Sequence, residues 1–462
     1  MSEIDLETRI ERGLKTAGFL AGPALGILVF LWNPGDHPPE ARRLLGIMAL
    51  TILWWITEAI PLPATALVSS ALAIAVGVAP ARQVLAPYAD PVIFLFLGSF
   101  LLAEAVSRYG LDVRLASVLL RSRLFAKTGY GRMAAFGTAS AAISTCLSNT
   151  ASAALMTPIA LGALGALGER KHDSARPSEV DSGVLLMIAY GASIGGMATL
   201  IGTPPNLLVA GFLERLAGVP VTFTGWLAVG FPIASVLLVL SLVLTRFTLG
   251  RALVGQPLID VAPPAATDDA EAAAEKTAGA RITVAAFFLA FTLWLAPSLA
   301  QAILGRAHPW AEALVRHFPE AGVALLCAAL LFAAPVSWRK RRFALSWNDG
   351  QRVNWGVLML FGGGLSLGTL GEATGIARWA GEGVVGSGLA SSPEMFLLIC
   401  ILAAIVLSEF ASNTASATLL VPVVIAAAQQ AGFDPVPPAL AAGLAATCGF
   451  IFPVSTPPNA IV

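Results

Sequence analysis

One six-residue motif occurs twice in this chain, and no other feature constrains the fold as strongly. The letters SNTASA occupy 148–153 and return at 412–417, which is 264 positions later (412 minus 148). A proline follows each copy at the same distance, Pro158 after the first and Pro422 after the second. Both copies are polar segments in apolar surroundings, so they predict two places where a helix is interrupted.

A second short motif is also repeated. Thr-Pro-Pro-Asn occurs at 203–206 and again at 456–459. Proline lacks a backbone N–H and blocks helix continuation, so each copy leaves carbonyl groups without a helical partner. Weaker sequence similarity surrounds the motifs, and the duplicated regions extend over roughly 90–210 and 354–460. The four polar breaks therefore predict two structural repeats, an arrangement typical of secondary transporters.

The composition is that of a membrane protein. The chain is 56% hydrophobic and only 12% charged over its 462 residues, whereas soluble domains carry about 25% charged residues. Its 28 basic and 28 acidic side chains give a formal net charge of zero, which argues against nucleic acid as a partner. None of the four cysteines is closely spaced with another, so neither disulfides nor a zinc site is indicated. The lipid bilayer is the expected environment.

Crossing a bilayer as a helix takes about 20 mainly apolar residues. We predict an all-α polytopic fold with apolar segments at 16–33, 44–60, 64–80, 132–168, 183–213, 226–247, 281–303, 321–335, 395–431 and 439–462. Some of these are too long for one simple span and contain a proline or glycine break. Two further segments, 87–109 and 353–373, are predicted to be broken at glycine and to form re-entrant hairpins, since irregular backbone is tolerated only where protein or water covers it.

Basic residues orient the predicted helices. The densest cluster is the WRKRR run at 338–342, so residues 336–352 are expected in the cytoplasm. The polar stretch 250–281 is predicted to be a cytoplasmic linker. The predicted organisation has four parts: a lead-in with scaffold helices (1–85), a first repeat hairpin with a broken helix (86–215), further scaffold helices (216–335), and a second repeat hairpin with a broken helix (336–462).

The motif residues favour a particular chemistry. Sodium takes oxygen ligands, and Ser and Thr hydroxyls, Asn carbonyls and freed main-chain carbonyls supply them without a fixed charge. The N-terminal end of the next half-helix favours an anion. Neither motif contains Arg, Lys or His, so bound Na⁺ would supply the positive charge and anion binding would depend on sodium. A single copy would more simply cap a helix, but two copies in register favour binding.

Both motif pairs, together with the WWITEAIP run at 54–61, resemble the divalent anion:sodium symporter family, which includes sodium-coupled dicarboxylate and citrate carriers. The resemblance covers essentially the whole chain. It implies two inverted-topology repeats with broken helices, a homodimer, and a scaffold that carries an elevator-type transport domain. Family members usually continue through one more helix, so this chain, which stops at Val462, is expected to lack a final helix.

The same resemblance implies two sodium sites and a substrate site. The first sodium site would use Ser144, Ser148, Asn149 and the carbonyl of Gly202. The second would use Ser408, Ala411, Asn413 and the carbonyl of Ser455. The substrate carboxylates would contact residues of both motif pairs, namely Ser148, Asn149, Thr150, Thr203, Ser412, Asn413, Thr414, Thr456 and Pro457.

The predicted function is sodium-coupled import of a C4-dicarboxylate such as succinate, malate or fumarate by a carrier in the inner or plasma membrane. A sodium-independent exchanger, or a citrate or sulfate carrier of the same fold, stays open as an alternative. The carrier is not expected to be an enzyme: an intramembrane hydrolase would need a base beside its nucleophile, and the motifs contain no His or Lys. A channel fits less well, because broken repeats suit alternating access.

One acidic residue in an apolar run has two competing interpretations. Glu409 lies three residues before Ser412, and an ionisable residue inside a membrane is a functional candidate by default. It either tunes the second sodium site or makes a structural hydrogen bond at a helix end.

Overall fold

The computed structural model describes residues 3–32, 37–122, 129–165, 179–249 and 270–462, and helices form nearly all of it. The first helices are α1 (Glu3–Trp32), α2 (Pro39–Thr57), α3 (Leu62–Ala75), α4 (Ala81–Leu85), α5 (Pro91–Arg108) and α6 (Leu111–Leu120), with a 3-10 turn at Ala86–Ala89. Several of these helices begin at or beside a proline, because the N–H that proline lacks is not needed in a first helical turn.

The next two predicted segments, 132–168 and 183–213, are each broken at a motif. They form α7 (Gly129–Ser144), α8 (Asn149–Gly165), α9 (Glu179–Met197) and α10 (Pro204–Ala217). The Ser-Asn-Thr motif begins α8, and the Thr-Pro-Pro-Asn motif begins α10. Both interruptions therefore fall where the sequence predicts them.

The middle of the chain contains α11 (Phe223–Leu249), α12 (Ala270–Leu304), α13 (Pro309–His317), α14 (Glu320–Ala333) and α15 (Trp347–Gly350). Strands β1 (Pro335–Ser337) and β2 (Arg342–Phe343) pair antiparallel, and this short hairpin is the one departure from the predicted all-α fold within the described residues. Of the predicted linker 250–281, residues 250–269 lie outside the described residues. The rest of it is helical and begins α12, where Ala, Glu and Lys are strong helix formers, and its role as a linker stays a prediction.

The last part of the chain contains α16 (Trp355–Ala373), α17 (Ile376–Gly386), α18 (Pro393–Phe410), α19 (Asn413–Gln430), α20 (Val436–Ala445) and α21 (Pro457–Ile461), with a 3-10 turn at Pro453–Ser455. The predicted segment 395–431 is broken between α18 and α19, where the second Ser-Asn-Thr motif lies. The segment 439–462 is broken between α20 and α21, before the second Thr-Pro-Pro-Asn motif. All four predicted motif breaks are thus present.

The glycine breaks predicted within 87–109 and 353–373 are wrong in position. Helix α16 runs unbroken through its three consecutive glycines, which instead allow close packing: a Cβ on Gly362 would lie 2.3 Å from a neighbouring tyrosine ring. The chain turns later, at Gly110 after α5 and at Gly375 after α16, where φ is +62° and +83°. Glycine adopts this left-handed conformation at little cost, so it ends both helices.

Six helices within the described residues are long and apolar enough to cross a bilayer, or up to seven if the bent pair of α13 and α14 counts as one span. They are Arg12–Trp32, Ala81–Arg108, Phe223–Thr248, Ala273–Leu304, Trp355–Ala373 and Pro393–Phe410. Large apolar side chains on α11 and α12 are exposed, among them Phe247 and Ile303. Such a surface suits lipid rather than water, as expected of a multi-pass membrane protein.

The described parts of the chain pack into two compact units. Unit 1 comprises Met1–Ile93, Pro204–Val221 and Asn354–Ser455, and unit 2 comprises Phe94–Thr203, Thr222–Val353 and Thr456–Val462. The core of unit 1 includes Trp55 and Leu360, and the separate core of unit 2 includes Phe136 and Met187. The predicted scaffold and transport domains are defined by their relative motion during transport and not by packing, so they stay a prediction.

Candidate functional site

The first Ser-Asn-Thr motif begins α8 and uses its serine as the helix cap. Ser148 Oγ accepts the backbone N–H of Ala151 at 3.2 Å, which satisfies one of the N–H groups that a helix start leaves unpaired. The side chains of Ser148 and Thr150 are exposed, whereas Asn149 between them is buried. The motif therefore leaves two hydroxyls accessible and directs one amide into the protein.

The Asn149 amide lies in a small polar cluster of unit 2. Ser144 is fully buried at the end of α7 and donates its hydroxyl to Asn149 Oδ1 at 2.8 Å. Asn149 Nδ2 in turn donates to Thr203 Oγ1 at 3.4 Å. Gly202 lies beside them, since a Cβ there would be 3.0 Å from the carbonyl oxygen of Ser144. The fold thus brings together predicted site residues from two separate helix breaks.

A glycine leaves the room that this amide occupies. A Cβ on Gly196, in the last turn of α9, would lie 2.1 Å from Asn149 Oδ1, where ordinary contact begins at 3.4 Å. Any side chain at this position would displace the amide oxygen. The close approach of α9 to the first motif therefore depends on glycine.

The second motif repeats this local geometry in unit 1. Ser412 Oγ accepts the backbone N–H of Ala415 at 3.2 Å and caps α19. Ser408 is fully buried near the end of α18, and its hydroxyl, which donates to the carbonyl of Ala446 at 2.5 Å, lies 2.8 Å from the Asn413 amide, across the same five-residue separation as in the first copy. The two copies share six letters and fold alike, so local sequence accounts for this part of the structure.

Oxygen atoms converge on the Asn413 amide. One amide atom lies 3.2 Å from the carbonyl oxygens of both Ala446 and Ser455, and 2.8 Å from Ser408 Oγ. If this atom is Nδ2, its two N–H groups share these three oxygen acceptors; if it is Oδ1, it faces the two carbonyl oxygens with no hydrogen between them. The second orientation presents the oxygen ligands that a hard cation requires. One rotation of the amide therefore changes which of its atoms, Nδ2 or Oδ1, faces these three oxygen atoms.

Glu409 makes structural hydrogen bonds. Its buried carboxylate accepts the backbone N–H groups of Phe450, Ile451 and Phe452 at 3.0 to 3.2 Å. The structural hydrogen bond at a helix end is confirmed, and tuning of the second sodium site stays a prediction. These bonds also tie the end of α18 to the segment that follows α20.

The predicted site residues are divided between the units. Unit 2 holds Ser144, Ser148, Asn149, Thr150, Gly202, Thr203, Thr456 and Pro457, and unit 1 holds Ser408, Ala411, Ser412, Asn413, Thr414 and Ser455. Within the described residues, no hydrogen bond joins the side chain of Thr150, Thr414 or Thr456 to another of these residues. Ala411 is buried in extended conformation between α18 and α19. Each predicted sodium site is contained in one unit.

Three contributors to these clusters were not predicted. The carbonyl of Ala446 faces the Asn413 amide, and no sequence signal marks it, since every residue has a carbonyl. Gly449 approaches the second cluster as Gly196 approaches the first: a Cβ on Gly449 would lie 2.0 Å from Ser455 Oγ. The two glycines are 253 positions apart (449 minus 196), which is also the spacing of the Thr-Pro-Pro-Asn motifs. That shared spacing could have identified them.

The fifth residue of each six-letter motif carries a buried hydroxyl. Ser152 and Ser416 are fully buried, and neither hydroxyl has a hydrogen-bond partner among the described residues. Leaving a buried donor unpaired costs about 1–3 kcal/mol. Fold stability therefore gives no reason for a serine at this position in either copy.

Comparison with known proteins gives consistent matches over nearly the whole chain. The family model for the sodium:sulfate symporter transmembrane region matches residues 18–462. The sodium-dependent dicarboxylate transporter SdcS of Staphylococcus saprophyticus is 31% identical over 468 residues, covering 96% of this chain and 84% of the relative. SdcS of Staphylococcus aureus is 31% identical over 467 residues, with 97% and 85% covered. An uncharacterized transporter of Haemophilus influenzae is 35% identical over 453 residues, with 95% and 88% covered.

Among solved structures, the fold resembles that of another transporter over nearly the whole chain. That structure is of the YdaH transporter of Alcanivorax borkumensis, described as having an unusual topology, and it superposes with a TM-score of 0.54 over 96% of this chain and 87% of its own. The two sequences are only 17% identical, so the likeness concerns the fold alone.

Proposed function

Because the chain belongs to the divalent anion:sodium symporter family, we propose that it is a sodium-coupled secondary transporter that imports C4-dicarboxylates such as succinate, malate or fumarate. Two relatives that are 31% identical to it are named sodium-dependent dicarboxylate transporters. In this proposal the carrier is a homodimer in the inner or plasma membrane, and its two inverted-topology repeats support an elevator-type alternating-access motion. It moves its cargo without changing a covalent bond.

The oxygen cluster at Asn413 is the observation that carries this proposal. The Ser408 hydroxyl and the Ser455 carbonyl oxygen lie 2.8 and 3.2 Å from the inward atom of the Asn413 amide, and with Oδ1 at that position all three groups are uncharged oxygen ligands. We assign the second sodium site to these residues and to Ala411. The first site is assigned to the matching residues Ser144, Ser148, Asn149 and Gly202.

The anion is proposed to bind at the helix starts that the motifs cap. Its carboxylates would contact Ser148, Asn149, Thr150, Thr203, Ser412, Asn413, Thr414, Thr456 and Pro457. A helix N-terminus stabilises an anion by about 0.3–1 kcal/mol, whereas a full charge 4 Å away contributes about 4 kcal/mol at an effective dielectric constant near 20. Bound sodium is therefore the larger attraction, and anion affinity is expected to depend on it.

A sodium-independent exchanger of the same fold is the principal alternative, and a citrate or sulfate carrier is another. The exchanger would keep the anion contacts and would not use the oxygen clusters. The Asn413 cluster favours the symporter, because carbonyl oxygens can coordinate a cation but cannot donate a hydrogen bond to a carboxylate.

The test is uptake of radiolabelled succinate into proteoliposomes, with an inward sodium gradient and with potassium in its place. The assay is repeated with Asn149→Ala, with Asn413→Ala and with the control Asn354→Ala, which changes an exposed helix cap of α16 outside both motifs. We expect sodium-driven accumulation in the wild type and in the control, and its loss in the two motif variants, since each loses an amide at a proposed sodium site.

Each alternative gives a different result in the same assay. Uptake that ignores sodium but is driven by succinate inside the vesicle would replace the symporter with the exchanger. Sodium-driven uptake of sulfate or citrate without succinate uptake would keep the coupling and change the substrate. Equal uptake by all three asparagine variants would refute the assigned site.

A further inference from the structure

Glu409 lies beside the second cluster and accepts hydrogen bonds from three consecutive backbone N–H groups. It lies at the end of α18, directly after Ser408, and its side chain is buried. Oε1 accepts the N–H groups of Phe450 at 3.0 Å and Ile451 at 3.2 Å, while Oε2 accepts those of Ile451 at 3.2 Å and Phe452 at 3.0 Å. Bonds from backbone N–H groups to a carboxylate are about twice as strong as neutral ones.

These bonds hold the segment that supplies oxygen atoms to Asn413. Ala446 lies at the end of α20 and Ser455 at the end of the following 3-10 turn, so residues 450–452 lie between the two carbonyls that face the amide. The Ser455 hydroxyl also bonds back to the carbonyl of Gly449 at 2.9 Å. The carboxylate therefore restrains the connection between two of the proposed ligands.

The first motif has no carboxylate at the position that matches Glu409. The residue 264 positions before Glu409 is Thr145 (409 minus 264), and its carbonyl accepts the hydroxyl of Thr199 at 2.5 Å. A neutral hydroxyl therefore bonds the first helix break to the segment after α9. At the second helix break, a charged carboxylate bonds the end of α18 to the segment after α20. The two motifs are alike in their ligands and differ in what supports them.

We infer that Glu409 is a positioning residue for the second sodium site alone, and that its carboxylate keeps the backbone of 450–452 in the conformation that directs the Ser455 carbonyl at Asn413. This inference rests on the proposed sodium coupling. Residues that orient metal ligands from outside the coordination shell commonly change metal affinity by about 10- to 100-fold when altered.

Glu409→Gln is the informative change because it keeps the side-chain shape. Glutamine has one acceptor oxygen and one NH₂ group, so either Phe450 or Phe452 would face a donor instead of an acceptor. The matched control is Glu394→Gln, the same change at an exposed position in the first turn of the same helix. Glu409→Asp serves as a second variant, since it keeps the charge and shortens the reach by one methylene.

The experiment measures equilibrium binding of radioactive sodium to the purified protein, with each site isolated by inactivating the other. In an Asn149→Ala background, which leaves the second site, Glu409→Gln is expected to weaken sodium binding by about tenfold. In an Asn413→Ala background, which leaves the first site, it is expected to change binding by less than about twofold. Succinate half-saturation at saturating sodium should stay within about twofold of the wild type.

The outcomes separate this inference from the function on which it rests. Wild-type protein that binds no sodium would overturn both. Sodium binding in the wild type, with Glu409→Gln equal to Glu394→Gln or weakening both sites equally, would overturn the inference alone. If Glu409→Gln does not fold, by size-exclusion chromatography and thermal unfolding, Glu409→Asp decides: weakening confined to the second site supports the inference, and none refutes it.

Discussion

A single methyl group added at Gly196 tests whether the first cluster is an ion site. Its Cβ would lie 2.1 Å from Asn149 Oδ1, and ordinary contact begins at 3.4 Å, so the amide oxygen must retreat by roughly 1.3 Å (3.4 minus 2.1). That displacement is large beside the cation–oxygen distances of about 2.3–2.6 Å that a hard cation such as Ca²⁺ adopts. The proposed first sodium site would lose its amide ligand while every motif residue stayed in the chain.

The expected magnitude follows from the lost contact. A hydrogen bond or equivalent contact to a charged partner is worth about 1.5–3 kcal/mol, and each 1.4 kcal/mol is a factor of about ten in affinity. Gly196→Ala should therefore weaken sodium binding at the first site by about 10- to 150-fold. Overpacking should also destabilise the fold by about 1–3 kcal/mol, less what alanine gains as a helix former.

The assay is the sodium concentration for half-maximal succinate uptake, measured with thermal unfolding on the same preparations. Gly162→Ala is the matched control, because it lies in α8 of the same unit and a Cβ there would meet nothing within 4 Å. Gly449→Ala should weaken the second site in the same way, since its Cβ would lie 2.0 Å from Ser455 Oγ. A folded Gly196→Ala protein with wild-type sodium dependence would refute the assignment of Asn149 as a ligand.

Two stability predictions use matched substitutions. Ser148→Ala removes the cap of α8 and should cost about 1 kcal/mol, lowering the thermal midpoint in sodium-free buffer, while Ser148→Thr keeps the cap and most of the stability. Ser152→Ala, four residues along the same helix, removes a hydroxyl without a partner among the described residues and should leave that midpoint unchanged or raised; a drop equal to that of Ser148→Ala would contradict this reasoning. Trp226→Phe removes the indole bond to the Met197 carbonyl, 3.0 Å long, and shrinks a fully buried side chain, so it should cost more than the roughly 1 kcal/mol of the bond alone. The control Trp310→Phe, at an exposed tryptophan, should leave the stability unchanged. Equal losses of stability in the two variants would refute a contribution from the buried Trp226 hydrogen bond.

The sequence predicts the helix breaks well because they have local causes. A serine that can cap a helix and a pair of prolines act within a few residues, so both kinds of motif begin a helix in the structure. The triple glycine of α16 predicts a break that the structure does not have, because its effect depends on tertiary packing and not on local sequence. Glycine weakens a helix locally, but here the helix continues because neighbours pack into the space that the missing side chains leave. Only tertiary contacts distinguish these two outcomes.

The ligand clusters are predictable in part. Ser144 and Asn149 are five residues apart, and a helix end followed by a cap brings them together in both copies. The Ala446 carbonyl and the role of Glu409 depend on where the chain returns after α20, about 40 residues later. No local rule predicts that return, which is why the sequence leaves both interpretations of Glu409 open.

Each Thr-Pro-Pro-Asn motif marks a point where the chain passes from one unit to the other. One segment of unit 2 ends at Thr203, and the last segment of unit 1 ends at Ser455. The proposed carbonyl ligands Gly202 and Ser455 lie at these two ends, where proline stops helical hydrogen bonding. Each proposed sodium site is therefore built from a single unit. Asn149→Ala and Asn413→Ala should accordingly each abolish succinate uptake, while each weakens sodium binding only at its own site.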